Sequence, residues 1–182
     1  MRKSPKLSLK IDKSSSLASS LNSLSECCFH SSRFSPLAQI DDQIFIGSYE
    51  DASDFGKLRD YNITDIINCS PLNCPNNFKE FTYFNFELYD SPSFELSDPL
   101  NSIVKLIQEL KSSGKKILIH CYQGISRAPS IAIGYLISCE DKNVEDAIKC
   151  VKRNYMKAEP NLGFIIQLEQ FYKEMHKGIA SL

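Results

Sequence analysis

Residues 117–130 read Ile117-Leu118-Ile119-His120-Cys121-Tyr122-Gln123-Gly124-Ile125-Ser126-Arg127-Ala128-Pro129-Ser130. The apolar run Ile117–Ile119 predicts a short buried strand, and the pattern over Pro129–Glu140 predicts a helix. A loop bounded by Cys121 and Arg127 joins the two. Such a loop, turning into a helix N-terminus, aims successive backbone N–H groups inward, and the helix dipole adds partial positive charge. The segment therefore describes an anion cradle. The amides of Tyr122, Gln123, Gly124, Ile125, Ser126 and Arg127 ring three phosphoryl oxygens, and the Arg127 guanidinium takes two of them as a fork. The same field favours a thiolate at Cys121 beneath the phosphorus. Gly124 permits the tight turn with no side chain facing the ligand. A Cys and an Arg at this separation recur by chance. The preceding His, the glycine and the strand–loop–helix setting make the pattern specific.

Working outward, Ile40–Ile46 predicts a first strand, and a short helix is expected around Asp51–Arg59. Thr64–Cys69 is a strand rich in β-branched residues, and Phe84, Phe86 and Leu88 alternate with polar positions over Phe81–Leu88. Asp98 and Pro99 predict a helix start, the acid as cap and the proline in the first turn, with Gly114 as the stop. Three helical stretches follow, Pro129–Glu140, Val144–Asn154 and Leu162–Met175. Strands alternating with helices predict an α/β architecture.

The chain of 182 residues has room for one ordinary domain. Its net charge of −1 hides an asymmetry: residues 1–36 carry six Lys or Arg against Asp12 and Glu26, leaving the remainder acidic. That balance argues against a nucleic-acid partner. Ser fills 12 of the first 36 positions and Gly none, so the basic leader, residues 1–37, is expected to be disordered, Leu17, Leu21 and Leu24 notwithstanding. No apolar run reaches bilayer length, and signals for secretion, myristoylation and prenylation are missing, so no membrane association is expected. Seven cysteines without a C-x-x-C spacing suggest a reduced, cytoplasmic or nuclear setting and no metal site. A Ser-rich, acid-poor leader also fits organelle targeting. Cys139 and Cys150 read as core residues, while His30 and His176 have no constellation around them.

His120-Cys121-x-x-Gly124-x-Ser126-Arg127 resembles the signature of the dual-specificity protein phosphatases, within the Cys-dependent tyrosine phosphatase superfamily. Three further stretches resemble family landmarks in the expected order: Ile44-Phe45-Ile46-Gly47-Ser48, Ile63-Thr64-Asp65-Ile66-Ile67-Asn68, and Pro160-Asn161-x-Gly163-Phe164-x-x-Gln167-Leu168. The resemblance covers about residues 38–176. It implies a catalytic domain over 38–178 with a short tail at 179–182, and a central twisted, mostly parallel sheet flanked by helices. It also implies hydrolysis of phosphotyrosine and of phosphoserine or phosphothreonine through a phosphocysteine on Cys121, without a cofactor. Expelling a Ser or Thr alkoxide demands a proton, and Asp90, in Leu88-Tyr89-Asp90-Ser91-Pro92, matches the family's general-acid position. His120 is expected to hydrogen-bond backbone and stiffen the loop.

Two departures stand out. The residue after the loop arginine is usually Ser or Thr, whose hydroxyl helps the thiolate leave; here it is Ala128, as in the slow phosphatases of regenerating liver, with Ser126 or Ser130 as candidate substitutes. A trapped or slow phosphoprotein-binding module is the competing reading. The family's frequent Arg near Tyr155 is also missing. Cys69 ends a strand that in the family lies near the catalytic loop, leaving two readings, a buried core thiol or a reversible disulfide partner of Cys121. In the leader, Arg2, Lys3 and Lys6 precede Leu7 and Leu9, resembling the docking motif that mitogen-activated protein kinases recognise, with Ser4-Pro5 as a site for a proline-directed kinase.

Overall fold

The computed structural model describes residues 36–177. The docking residues Arg2, Lys3, Lys6, Leu7 and Leu9, the Ser4-Pro5 site, the leucine stripe, His30, the leader up to residue 35 and the tail 179–182 lie outside the described residues. Five strands form one sheet in the order β1-β2-β5-β3-β4: β1 (Ala38–Gln39), β2 (Ile44–Ser48), β3 (Asp65–Asn68), β4 (Thr82–Asn85) and β5 (Ile117–Cys121). Only β1 runs antiparallel to its neighbour; β2, β5, β3 and β4 are mutually parallel. The expected mostly parallel α/β sheet is present.

The central strands are buried on both faces, which is why they read as continuous apolar runs rather than as alternation. Ile44, Ile46, Ile67, Ile117 and Ile119 face one side. There they meet α3 (Ser97–Ser112), α4 (Arg127–Glu140), α5 (Val144–Asn154) and α6 (Leu162–His176). Phe45, Ile66 and Leu118 face the other, against Leu58 of α2 (Phe55–Asp60) and Ala52 of α1 (Tyr49–Ala52). Each fully buried Ile or Leu of this kind contributes about 1.5–3 kcal/mol relative to exposure. Helix α4, which leaves the Cys121–Arg127 loop, is buried continuously from Arg127 to Ile137 and is the centre of the helical layer.

Several boundaries differ from expectation. The strand expected over Ile40–Ile46 begins only at Ile44, as β2, because Asp41 caps the turn that follows β1, its carboxylate accepting from the Gln43 and Ile44 amides at 2.8 Å each. The single helix expected over 51–59 is two, since Ser53 ends α1 and the Asp54 side chain caps α2 by accepting from the Lys57 amide at 3.0 Å. Asp98 is not a cap. Helix α3 starts at Ser97 after Leu96, whose amide donates to Gln167 Oε1 of α6 at 2.6 Å, so Asp98 and Pro99 both sit in the first turn. There the acid still faces the positive end of the dipole, and the missing proline N–H costs nothing. Gly114, at φ +72, supplies the left-handed residue beyond the α3 C-terminus. Cys139 and Cys150 are half-buried at the margin of the core.

Candidate active site

The last strand pairings deliver the catalytic candidates. Register aligns Ser48 of β2 with Cys121 of β5, and the Tyr49 amide continues the ladder to the Tyr122 carbonyl at 3.1 Å. On the other side, Asn68 pairs with His120 and the Cys69 amide donates to the His120 carbonyl at 2.9 Å. Cys121 therefore ends β5 between two strands and is buried. The chain then makes its tight turn: Gly124 has φ +74, and a Cβ there would lie 2.4 Å from the Tyr155 hydroxyl and 2.8 Å from the Gly47 carbonyl oxygen. No other residue fits. Glu159 closes the far side of the loop, its amide donating to the Ile125 carbonyl at 2.7 Å.

Arg127 begins α4 with its guanidinium almost fully buried. Nη1 donates to the Ser70 hydroxyl at 2.7 Å and to the Leu88 carbonyl at 3.2 Å. Nε is buried without a hydrogen-bond partner; the nearest carboxylate oxygen, Asp90 Oδ2, stands 3.8 Å away. One edge of the fork is thus anchored by protein, and the other is left for an anion. This fixes the direction from which an anion is gripped.

Asp90 overhangs the loop. Its Oδ1 accepts from the Ser126 hydroxyl at 2.7 Å and from Asn161 Nδ2 at 2.9 Å. Its side chain is partly exposed, so a substrate can reach it. Ser126 is consequently engaged, and the Ser130 hydroxyl donates to the Ser126 carbonyl at 2.8 Å. Ala128 is fully buried between them in sequence. Beside Arg127 a recess of about 200 Å³ opens, walled by Leu72, Leu88, Tyr89 and Asp90.

Behind the loop lies a polar layer. Burial pushes the His120 imidazole down to about 4, against weaker opposing contributions from the Cys121 backbone and Asp51. The ring is thus neutral at physiological pH. Its Nδ1 is buried without a hydrogen-bond partner, and the ring lies near-parallel to that of Tyr49 with centroids 6.3 Å apart. Burial works to raise the Asp51 carboxyl, but hydrogen bonds from Lys57 and Ser48 outweigh it and hold the group below its usual range. Lys57 Nζ meets Asp51 Oδ1 at 2.6 Å. Burial raises the Tyr155 hydroxyl, with Asp51 and Cys121 adding to the effect. Burial likewise pushes the Cys69 thiol well up and the Cys74 thiol up; Cys121 reinforces both shifts and Arg127 opposes them.

Of the residues expected from sequence, the structure brings Cys121, the loop Tyr122–Arg127, His120 and Asp90 together. Ser70, Asn161 and the Asp51–Lys57 pair had no assigned role in the sequence; Ser70 and Asn161 act through contacts 57 and 71 residues apart, whereas Lys57 reaches Asp51 from one turn of chain away. His176, without neighbours in the sequence reading, packs at a tilt on Tyr172 and bridges to Asp141 at 2.9 Å. Among the described residues no group of three or more His, Cys, Asp or Glu could hold a metal ion, and no helix is long and apolar enough to cross a membrane.

A buried cysteine ending a parallel strand, followed by a glycine-turned loop to which an arginine and a carboxylate are brought together, is the arrangement of a Cys-dependent phosphatase. The catalytic-domain model of the dual specificity phosphatases matches residues 44–174, and the chain belongs to that family. It is 32% identical over 144 residues to mouse dual specificity protein phosphatase 22, covering 79% of this chain and 78% of that one. It is 35% identical over 140 residues to the Arabidopsis thaliana protein-tyrosine-phosphatase MKP1, covering 76% of this chain but 18% of that protein. Several other relatives are likewise matched over less than two thirds of their length. Among solved structures, a mouse putative dual specificity phosphatase complexed with zinc tungstate superposes with a TM-score of 0.74 at 25% identity, over 79% of this chain and 91% of that one.

Proposed function

We propose that the chain hydrolyses phosphotyrosine and phosphoserine or phosphothreonine in proteins through a phosphocysteine on Cys121. The observation that carries this reading is the divided Arg127 guanidinium, Nη1 fixed by Ser70 and Leu88 and Nε without a hydrogen bond, 3.8 Å from Asp90 Oδ2. In the first step the Cys121 thiolate attacks phosphorus, the ester P–O bond breaks, and Asp90 gives its proton to the departing oxygen. In the second, water attacks the phosphocysteine, Asp90 takes a proton from it, and the thiolate leaves with inorganic phosphate as the other product. The amides of Tyr122–Arg127 and the Arg127 guanidinium stabilise the equatorial oxygens in both steps. Cys121→Ser tests it: hydrolysis of an aryl phosphate should fall below about one per cent of wild type while binding of a phosphate mimic remains measurable. Residual turnover above that level removes Cys121 from the role.

A slow or trapped phosphoprotein-binding module is the second reading. It is favoured by Ala128 together with the engagement of Ser126 by Asp90 and of Ser130 by the loop carbonyl. A burst of product followed by slow release distinguishes it from full turnover. A mitogen-activated protein kinase is the proposed partner, docking at Arg2, Lys3, Lys6, Leu7 and Leu9. Fluorescence anisotropy of a peptide of residues 1–16 against such kinases tests this, and salt-insensitive binding, or binding indifferent to Leu7→Ala with Leu9→Ala, contradicts it.

A further inference from the structure

We propose that Asn161 is a positioning residue for the general acid, holding the Asp90 carboxylate over the Cys121 loop through the first turn of α6. The proposal rests on the reading of Asp90 as the acid.

Asn161 joins three elements with one short side chain. Its Oδ1 accepts from the Phe164 amide at 3.0 Å and so caps α6. Its Nδ2 donates to Asp90 Oδ1 at 2.9 Å. Its backbone amide donates to Ser126 Oγ at 3.1 Å, and that hydroxyl in turn donates to the same Asp90 oxygen at 2.7 Å. Amide, hydroxyl and carboxylate therefore form a closed ring spanning the phosphate loop, the acid segment and α6. Either donor alone leaves the carboxylate free to swing about the other. Two donors converging on Oδ1 leave Oδ2 as the oxygen free of protein hydrogen bonds, on the Arg127 side of the site. Oδ2 is then the atom that carries the transferred proton.

The rest of the acid segment is tied to the same helix. Gln167 Nε2 donates to the Phe94 carbonyl at 2.8 Å while its Oε1 accepts from Leu96 at 2.6 Å. Gly163 lies so near Pro92 that a Cβ would fall 1.9 Å from its carbonyl oxygen. Phe94 packs edge-on against Phe164 with ring centroids 6.4 Å apart. Residues 161, 163, 164 and 167 lie within the first two turns of α6, so one helix end fixes the backbone of 92–96, and Asn161 fixes the carboxyl at its head. A group that places the acid affects only the reaction that needs its proton.

Asn161→Ser separates placement from capping. Serine caps helices as well as asparagine but is too short to reach Asp90, and it carries no charge. We expect this variant, folded with a melting temperature near wild type, to lose about tenfold in kcat on phenyl phosphate, whose leaving group needs a proton, against about twofold on p-nitrophenyl phosphate, whose leaving group does not. In an Asp90→Asn background, Asn161→Ser should bring little further loss, because Asn161 acts only through Asp90. If the melting temperature falls, Asn161→Thr, which also caps, carries no charge and is too short to reach Asp90, supplies the same comparison. Equal losses on the two substrates, or full additivity with Asp90→Asn, overturn the proposal. Asp90→Asn alone shows where a failure lies: without its own selective loss on phenyl phosphate the acid assignment falls, whereas a selective loss there and none in Asn161→Ser defeats the positioning role alone.

Discussion

The Ser126 hydroxyl donates to the Asp90 carboxylate at 2.7 Å, from a residue 36 positions further along the chain. The bond couples the phosphate loop to the acid and removes Ser126 from assisting the thiolate, as the Ser130 bond to the loop carbonyl removes the other nearby hydroxyl. Ala128 is therefore uncompensated. Ala128→Ser should accelerate breakdown of the phosphoenzyme, by about tenfold if the new hydroxyl makes one hydrogen bond to the departing thiolate worth about 1.4 kcal/mol. Stopped-flow kinetics checks this, and an unchanged second step contradicts it.

Gly163→Ala should disturb the acid without touching the nucleophile. The added Cβ would meet the Pro92 carbonyl at 1.9 Å, so the 91–93 backbone or the start of α6 must shift. Overpacking of this kind costs about 1–3 kcal/mol. The variant should unfold at a lower denaturant midpoint and lose more activity on phenyl phosphate than on p-nitrophenyl phosphate. Unaltered stability and an equal loss on both substrates would speak against α6 as the support of the acid segment.

The sequence exposed the loop chemistry because that chemistry is local: Cys121, Gly124 and Arg127 belong to one turn, and their spacing is the geometry. The buried parallel strands were equally legible from their apolar runs, as Ile117–Ile119 illustrates. What depended on distant contacts was not. Asp98 resembled a cap because Asp-Pro opens many helices, but the true start is set by Leu96 reaching Gln167 across 71 residues. Asn161 was visible only as part of a family-like stretch, and its contact with Asp90 also spans 71 residues. Ser70 gave no signal at all, since its bond to Arg127 is made by a turn that only the folded sheet brings near. The helix expected over 51–59 failed for a local reason, the consecutive Ser53 and Asp54 that stop one helix and cap the next.

Mild peroxide should link Cys121 to Cys69. Cys69 follows the strand residue paired with His120, so the two thiols end adjacent parallel strands. Peroxide oxidises the Cys121 thiolate to a sulfenic acid, and the Cys69 sulfur displaces water from it to give the disulfide. Burial raises the Cys69 thiol well above its ordinary value, with the Cys121 charge adding to the shift, so this thiol is protonated at neutral pH. The thiolate fraction grows with pH, and disulfide formation should therefore quicken as pH rises. Peptide mapping checks this. Cys121 sulfinic acid with no linked pair would leave Cys69 as a core thiol.

The most direct test of a phosphocysteine mechanism is mass spectrometry of the protein quenched in acid during turnover of an aryl phosphate. The slow second step expected from Ala128 should let the intermediate accumulate, with a phosphoryl group on the peptide that contains Cys121 and none on that peptide in Cys121→Ser. Steady turnover with no phosphoryl group on Cys121, or with one on another residue, would contradict the account.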